Sequence, residues 1–415
     1  MYNMSNRDPF LHPRNTVSVS QQMEIESQNV DHVLHPEEIC LHQYRHRIQH
    51  YQSILPLAKN WEYYKKIVNP CEFVYTQKKY DTFPESVCSL KPLSRSYFKL
   101  VEMLQRIGFF DAASVHAVPL KTAHVCEGPG GFIEAVFDEA ARHRVPVQVS
   151  IAMTLKSRHA TVPGWKRASN FLKRHHNVKV IYGEDQTGDI MKPENQQYFI
   201  DYATHPYYGG KVDLFTADGG FDFSSDYTRQ EKMILPLLIA STKIGLEVLK
   251  PGGTFILKIF DNYYKATQDL IYFLSCHFDQ WTLYKPAMSR PCNPEQYFIG
   301  HGFVGCTDEV RDVMRLWCSI VEANEPLDSL LRVDPPQAFQ ETLTALREKS
   351  FRSQIRYLEH VFQLIDQQDD AAIQACLQAS ERASREWCIQ HNMPIYERTM
   401  KAAASHNDPP ISSPQ

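Results

Sequence analysis

Residues 124–132 read HVCEGPGGF, and their reading decides the fold. An apolar run leads into them as a strand and an amphipathic run leaves them as a helix, so Gly128, Gly130 and Gly131 mark a tight strand-to-helix turn. The turn lacks the G-x-G-x-x-G spacing of dinucleotide sites and the Gly-Lys-Ser/Thr ending of phosphate-gripping loops. Its glycines allow a backbone to pass close beneath a ligand, and a purely structural turn is the competing reading. Glu127 favours a ligand, because a carboxylate at a strand's carboxyl end suits a cationic group.

Outward from this turn, short apolar runs alternate with amphipathic stretches, the pattern of a mostly parallel sheet covered by helices on both faces. Seven strands are expected, at Ala123–Cys126, Val147–Ala152, Val178–Tyr182, Val212–Ala217, Thr254–Ile259, Trp281–Tyr284 and Tyr297–Phe303. Helices are expected at Ser94–Ile107 and at Arg229–Leu249, the latter carrying Pro236 near its start. Before this α/β unit, Pro36–Val68 reads as helix; after Cys306 strand signals stop, and Gln337–Gln367 and Ala371–His391 read as a separate helical region. The expected organisation is a loose tail over 1–30, a helical extension over 31–91, the α/β unit over 92–306, a helical region over 307–405 and a second tail over 406–415.

Composition narrows the function. With 43% hydrophobic and 22% charged residues the chain has globular proportions. Its net charge of −4 excludes wrapping of nucleic acid by bulk electrostatics, so any RNA contact needs a local basic patch. Ten cysteines without a C-x-x-C pair suggest neither a disulfide framework nor a zinc site, and no metal is expected. No apolar run approaches the ~18 residues of a membrane span, which points to an intracellular protein with no membrane partner.

Four ionisable residues occupy contexts unlike a solvated surface. Lys99 lies on the amphipathic SRSYFKLVEM, Asp218 follows the apolar VDLFTA strand, Lys258 sits inside FILKIFD, and Glu295 precedes QYFIG. For Lys258 the bland reading is a snorkelling edge lysine, but its apolar neighbours argue for a half-buried amine. Two adjacent lysines disfavour each other's charge, so one is expected to be neutral near pH 7 and able to take a proton from a hydroxyl. The two acids would orient the pair. Asp185 and Asp189, in YGEDQTGDI, fall at the same carboxyl edge, where doubly wound sheets bind ligands; Asp185 reads better as a loop-turn residue.

In order, SRSYFKL, CEGPGGF, MTLK, YGEDQTGDI with KPEN, TADGGFDFS, GGTFILKIFD and KPAMSRPCNPEQYFIG resemble the FtsJ-like ribose 2′-O-methyltransferases, within them the messenger RNA cap enzymes of eukaryotes and large DNA viruses. The resemblance implies a Rossmann-like class I methyltransferase domain, S-adenosylmethionine as cofactor, and a Lys-Asp-Lys-Glu tetrad at Lys99, Asp218, Lys258 and Glu295, with Lys258 as general base. Spacings of 40 residues from Asp218 to Lys258 and 37 from Lys258 to Glu295 suit a compact α/β unit. It further implies that Glu127, Gly128, Pro129, Gly130, Gly131 and Phe132 cradle the cofactor's methionine part, that Asp189 contacts its adenine, and that Ser289, Arg290 and Asn293 hold substrate. The implied substrate is 5′-capped RNA, methylated on the first or second transcribed nucleotide. Ribosomal or transfer RNA, or a catalytically inactive RNA-binding subunit, are the alternatives. A capping- or transcription-machinery partner would fit the C-terminal helices, and the compartment would be nucleus or cytoplasm, or a viral replication site. AMTLKS lacks the acid that many related folds use for the cofactor ribose. Phe73, Tyr75, Phe221 and Tyr227 are available as stacking rings but read better as packing.

Overall fold

The computed structural model describes residues 11–15, 35–76, 85–111, 118–157, 162–221 and 229–396. Its centre is a sheet of strands β1 (His12–Pro13), β2 (Leu120–Val125), β3 (Val147–Met153), β4 (Val178–Ile181), β5 (Val212–Ala217), β6 (Leu249–Ile259), β7 (Phe278–Tyr284) and β8 (Gln296–Phe303). They run in the order β1-β7-β8-β6-β5-β2-β3-β4. Strands β2 to β6 pair in parallel, β8 is antiparallel to β6 and β7, and β1 is antiparallel to β7. The seven expected strands are all present. The eighth, β1, falls in the expected N-terminal tail and pairs His12 with Trp281 and Pro13 with Gln280. Nothing local announces it: two residues show no alternation, and proline supplies no ladder donor.

Helices α1 (Pro36–Ile54), α2 (Trp61–Ile67), α3 (Ser96–Arg106), α4 (Gly131–Arg142), α5 (Ser169–Arg174), α6 (Pro193–Ala203), α7 (Gln230–Val248), α8 (Lys265–Ser275), α9 (Asp308–Glu322), α10 (Gln337–Gln367) and α11 (Asp370–Gln390) surround the sheet. Alternation along the central strands builds two cores. Phe215, Phe255 and Leu257 face one way, toward α7, α8 and α9. Leu214 and Ile256 face the other, toward α3 and α4. Helix α7 keeps its continuity through Pro236, and Gly245 lets it close on the sheet, where an added β-carbon would lie 2.2 Å from the Phe255 ring.

The C-terminal helices are not a separate region. Leu358, Val361 and Phe362 of α10 and Trp387 and Cys388 of α11 share one core with α1, α2, α3 and α4. Ser380 and Ser384 of α11 donate to the carbonyls of Asn69 and Pro70, and Gln354 of α10 donates to that of Cys292 at 3.1 Å. Helices α1, α2 and α11 and the later half of α10 therefore pack on the same face of the sheet as α3, while α9 and the start of α10, with Phe339 and Leu343, pack on the other. All ten cysteines are free thiols. Among the described residues no helix is long and apolar enough to cross a membrane.

Candidate functional site

From β2 the chain steps outward to β3 and β4, then returns to the other side of β2 for β5 and β6. The carboxyl ends of β2 and β5 therefore flank the point where strand order reverses, the usual ligand crevice of open α/β sheets. Strand register fills this edge. Ala217 of β5 lies opposite Leu257, so Asp218 is delivered beside Lys258, and Lys258 lies opposite Tyr297 of the antiparallel β8. Glu295 precedes Tyr297 by two residues and shares its side of the chain. Lys99 comes from α3, which packs on the Ile256 face of the sheet, two residue pairs below Lys258.

The four side chains form two ion pairs. Lys258 Nζ lies 3.3 Å from Asp218 Oδ1, and Lys99 Nζ lies 2.6 Å from Glu295 Oε1. Tyr297 joins them: its hydroxyl donates to Asp218 Oδ1 at 2.8 Å and accepts from Lys99 Nζ at 3.4 Å. All four charged side chains are 12–14% exposed, sheltered yet reachable.

The electrostatics correct one expectation. Burial works against the Lys258 ammonium, but Asp218 and Glu295 outweigh it, so the Lys258 pKa stands above its ordinary value. At Lys258 the attraction of these two carboxylates exceeds the repulsion that the sequence reading had made dominant. Burial opposes the Glu295 carboxylate too, yet Lys99 and then Lys258 hold its pKa well below the usual range. Burial first, and then Asp218 and Glu295, push the Tyr297 phenol well above its ordinary value.

At the switch point, Glu127 is buried and accepts from Thr216 Oγ1, while its Oε2 lies 3.1 Å from His124 Nδ1 without a hydrogen bond among the described residues. A polar ladder supports it: His124 Nδ1 meets Thr216 Oγ1 at 2.7 Å and Nε2 meets Thr122 Oγ1 at 2.8 Å. The glycines of the turn serve close chain packing. A β-carbon on Gly128 would sit 2.2 Å from the Pro163 carbonyl oxygen, and one on Gly131 would sit 2.2 Å from Ser94 Oγ. Those two positions face protein, and a β-carbon on Gly130 would lie 3.1 Å from the Trp165 ring, so all three glycines let the turn close against its neighbours. Asp189 is half-buried and its Oδ1 accepts from Met191 N at 2.9 Å. Asp185 is the turn residue it resembled, accepting from Thr187 N at 2.9 Å and from Asn195 and Lys192.

The three residues expected to hold substrate are placed differently from one another. Ser289 is buried beside Glu295, whose carboxylate it helps keep ionised. Arg290 is engaged by Glu72, Nε to Oε2 and Nη2 to Oε1 both at 3.0 Å. Asn293 lines a cavity of about 180 Å3 next to Glu295, walled by Phe221 and Phe260 and by Trp61 and Lys65 of α2. Phe73 is buried, Tyr75 donates to the Pro92 carbonyl at 3.2 Å, and Tyr227 lies outside the described residues.

The sequence reading missed several residues that build this edge. Tyr297 could have been found, since strand period puts it on the same side as Glu295. Lys285 donates to the carbonyls of Asn293 at 2.5 Å and Glu295 at 2.8 Å, closing the loop that delivers Glu295, and burial brings its pKa down to about 8. Glu102 of α3 gathers Tyr284 Oη at 2.6 Å, Ala287 N at 2.7 Å and Trp387 Nε1 at 3.0 Å, tying α11 to the same loop. Arg95 donates to the Met288 carbonyl at 3.2 Å and to that of Cys71 at 2.9 Å.

Comparison with known proteins gives the family. The family model of FtsJ-like methyltransferases matches residues 92–303. The cap-specific mRNA (nucleoside-2′-O-)-methyltransferase 1 of Danio rerio is 34% identical over 193 residues, which are 46% of this chain and 22% of the fish protein. That of Dictyostelium discoideum is 30% identical over 219 residues, 51% of this chain and 29% of its own length. The match thus spans under a third of these curated relatives. A solved ribosomal RNA methyltransferase from Plasmodium falciparum covers 51% of this chain and 98% of its own at 17% identity, with a TM-score of 0.35. With more than half its residues matched to the family model, and with that stretch containing both ion pairs and the glycine turn, this chain belongs to the FtsJ-like methyltransferase family.

Proposed function

We propose that this chain transfers a methyl group from S-adenosylmethionine to the ribose 2′-hydroxyl of the first or second transcribed nucleotide of 5′-capped RNA. The observation that carries the reading is the meeting of Lys99, Asp218, Lys258 and Glu295 around Tyr297 beside the strand switch point. The cap, as substrate feature, comes from the relatives' names and enters only as part of this proposal.

The crevice fits the cofactor. Glu127 Oε2 is buried with His124 Nδ1 3.1 Å away and accepts no hydrogen bond among the described residues, which suits a cationic ligand, and Asp189 stands in the loop after β4, two strands along the same edge, with Oδ1 fixed by the backbone. The 126–132 turn would hold the methionine portion and Asp189 the adenine. When bound, the cofactor supplies an electrophilic methyl on a sulfonium whose positive charge works against the Lys258 ammonium. Lys258 would accept the 2′-hydroxyl proton at Nζ as the ribose oxygen takes up the methyl group that the cofactor would supply. Asp218 positions Lys258, Glu295 positions Lys99, and Tyr297 keeps both pairs in register, so the hydroxyl is held in line for transfer. Trp61, Phe221 and Phe260 around the adjacent cavity offer rings to the nucleotide that carries this hydroxyl.

The same reading assigns 31–91 and 307–405 to support of the substrate loop, through Glu72, Gln354 and Trp387, and leaves the outer faces of α10 and α11 to a capping- or transcription-machinery partner. It places the protein wherever capped RNA is made, in nucleus or cytoplasm. The test is methyl transfer to capped and uncapped RNA of one sequence, with mass mapping of the product. Methylation of the ribose of the first or second nucleotide, on capped RNA, is expected. Preference for uncapped RNA would overturn the cap assignment, and methylation of a base would overturn the chemistry.

A further inference from the structure

Helix α6 has two unlike faces. Asn195, Gln196, Phe199, Ile200 and Ala203 are buried against the body of the protein. The opposite face, continued by the turn at Pro206–Tyr208, forms an open groove of about 680 Å3. Its rings are Tyr198, Tyr202, Tyr207, Tyr208 and His205, its carboxylates Glu184, Glu194 and Asp201, and no lysine or arginine lines it among the described residues. Solvent-facing helix surfaces ordinarily carry mixed charges, whereas this one presents tyrosines one turn apart. The rings are held in place: Tyr198 and Tyr202 stack with centroids 6.4 Å apart and planes 18° apart, and the Tyr202 and Tyr208 hydroxyls meet at 2.7 Å. Tyr207 is 81% exposed and packs edge-on against Tyr208 at 5.0 Å.

Ring faces and carboxylates attract the same thing, a cation that can also stack. Guanidinium does both, being planar, weakly hydrated and able to pair with a carboxylate by two hydrogen bonds. An RNA backbone is disfavoured, since three carboxylates set against one histidine, with no lysine or arginine among the described lining residues, repel phosphate. The geometry points to this groove as the docking site of an arginine-bearing extended segment of a partner protein, its guanidinium groups lying over the tyrosine rings and paired to Glu194 and Asp201. None of Lys99, Asp218, Lys258 and Glu295 lines the groove, and the inference does not depend on what they methylate.

The probe is a labelled twelve-residue arginine–glycine repeat peptide, titrated into the full chain and followed by fluorescence anisotropy, beside the same peptide with citrulline for arginine. Saturable binding is expected for the arginine peptide, at least tenfold weaker for the citrulline one. Tyr207→Ala and Asp201→Asn, both at solvent-facing positions, should each weaken binding about threefold to tenfold. Methyl transfer to a short RNA without peptide should be unchanged in both. Asp312→Asn, on the exposed face of α9, separates a site from bulk attraction. Equal binding of the citrulline peptide, unchanged affinity in the groove variants, an equal loss with Asp312→Asn, or displacement of the peptide by a twelve-nucleotide RNA would each overturn the inference.

Discussion

Glu72→Gln is the substitution whose cost the structure fixes most closely. Glu72 is 3% exposed, lies between Arg290 and Arg95, and takes a further hydrogen bond from Asn69 Nδ2 at 2.6 Å. Burial opposes its charge, yet Arg95 and then Arg290 bring its pKa down to about 2 from 4.5. That depression corresponds to about 3 kcal/mol of stability at neutral pH. Because the folded-state pKa is the lower one, the contribution is complete above pH 4.5 and is lost as pH falls through about 2. Glutamine keeps the shape but leaves two sheltered guanidinium groups facing each other without a counter-charge, which costs about 3–5 kcal/mol when a buried partner is removed. Urea unfolding at pH 7 should show that loss. The variant's stability should also fall less steeply than wild type between pH 4.5 and 2. Adding Arg290→Gln should recover part of the loss, since it removes one stranded charge. A loss below about 1 kcal/mol, or an unchanged acid limb, would refute the reasoning.

Other outcomes follow from the same geometry. Lys285→Met removes both donors that close the Glu295 loop, and should lower the single-turnover rate about tenfold at unchanged cofactor affinity; an unchanged rate would remove Lys285 from the positioning scheme. Since Asp218 and Glu295 hold the Lys258 pKa above its ordinary value, the amine is mainly protonated at neutral pH, and the single-turnover rate should climb about tenfold per unit through the neutral range. A rate flat from pH 6 to 8 would mean that some other group takes the proton. Gly131→Ala would place a β-carbon 2.4 Å from Ser96 Oγ and 3.0 Å from Tyr97 N; the serine can rotate but the backbone cannot, so thermal unfolding should show a loss of about 1–3 kcal/mol, and wild-type stability would contradict the packing.

The sheet was legible because its strands are buried on both faces and bounded by turns, so each apolar run stood out locally. Val212–Ala217 agrees residue for residue, and β6 extends the expected Thr254–Ile259 back through the Lys250-Pro-Gly-Gly turn to Leu249. The tetrad positions were legible for a related reason: a lysine inside FILKIFD and an aspartate ending VDLFTA contradict the apolar pattern around them. What the sequence could not display is convergence. Glu72 reaches Arg290 from 218 residues away, and Trp387 reaches Glu102 from 285. Neither pair leaves a periodic trace, so the C-terminal helices looked separate although their tryptophan shares Glu102 with Tyr284 and with Ala287 of the loop before β8. The sign of the Lys258 shift was missed similarly, because the balance between one neighbouring lysine and two carboxylates depends on distances that spacing does not contain.

The account rests most directly on Lys258. Single-turnover methyl transfer by Lys258→Met should fall about 10²- to 10⁴-fold, the contribution of a positioned general base, while S-adenosylmethionine affinity measured by calorimetry stays within about twofold. Transfer at the wild-type rate with cofactor binding intact would contradict the central claim that this amine takes the ribose proton.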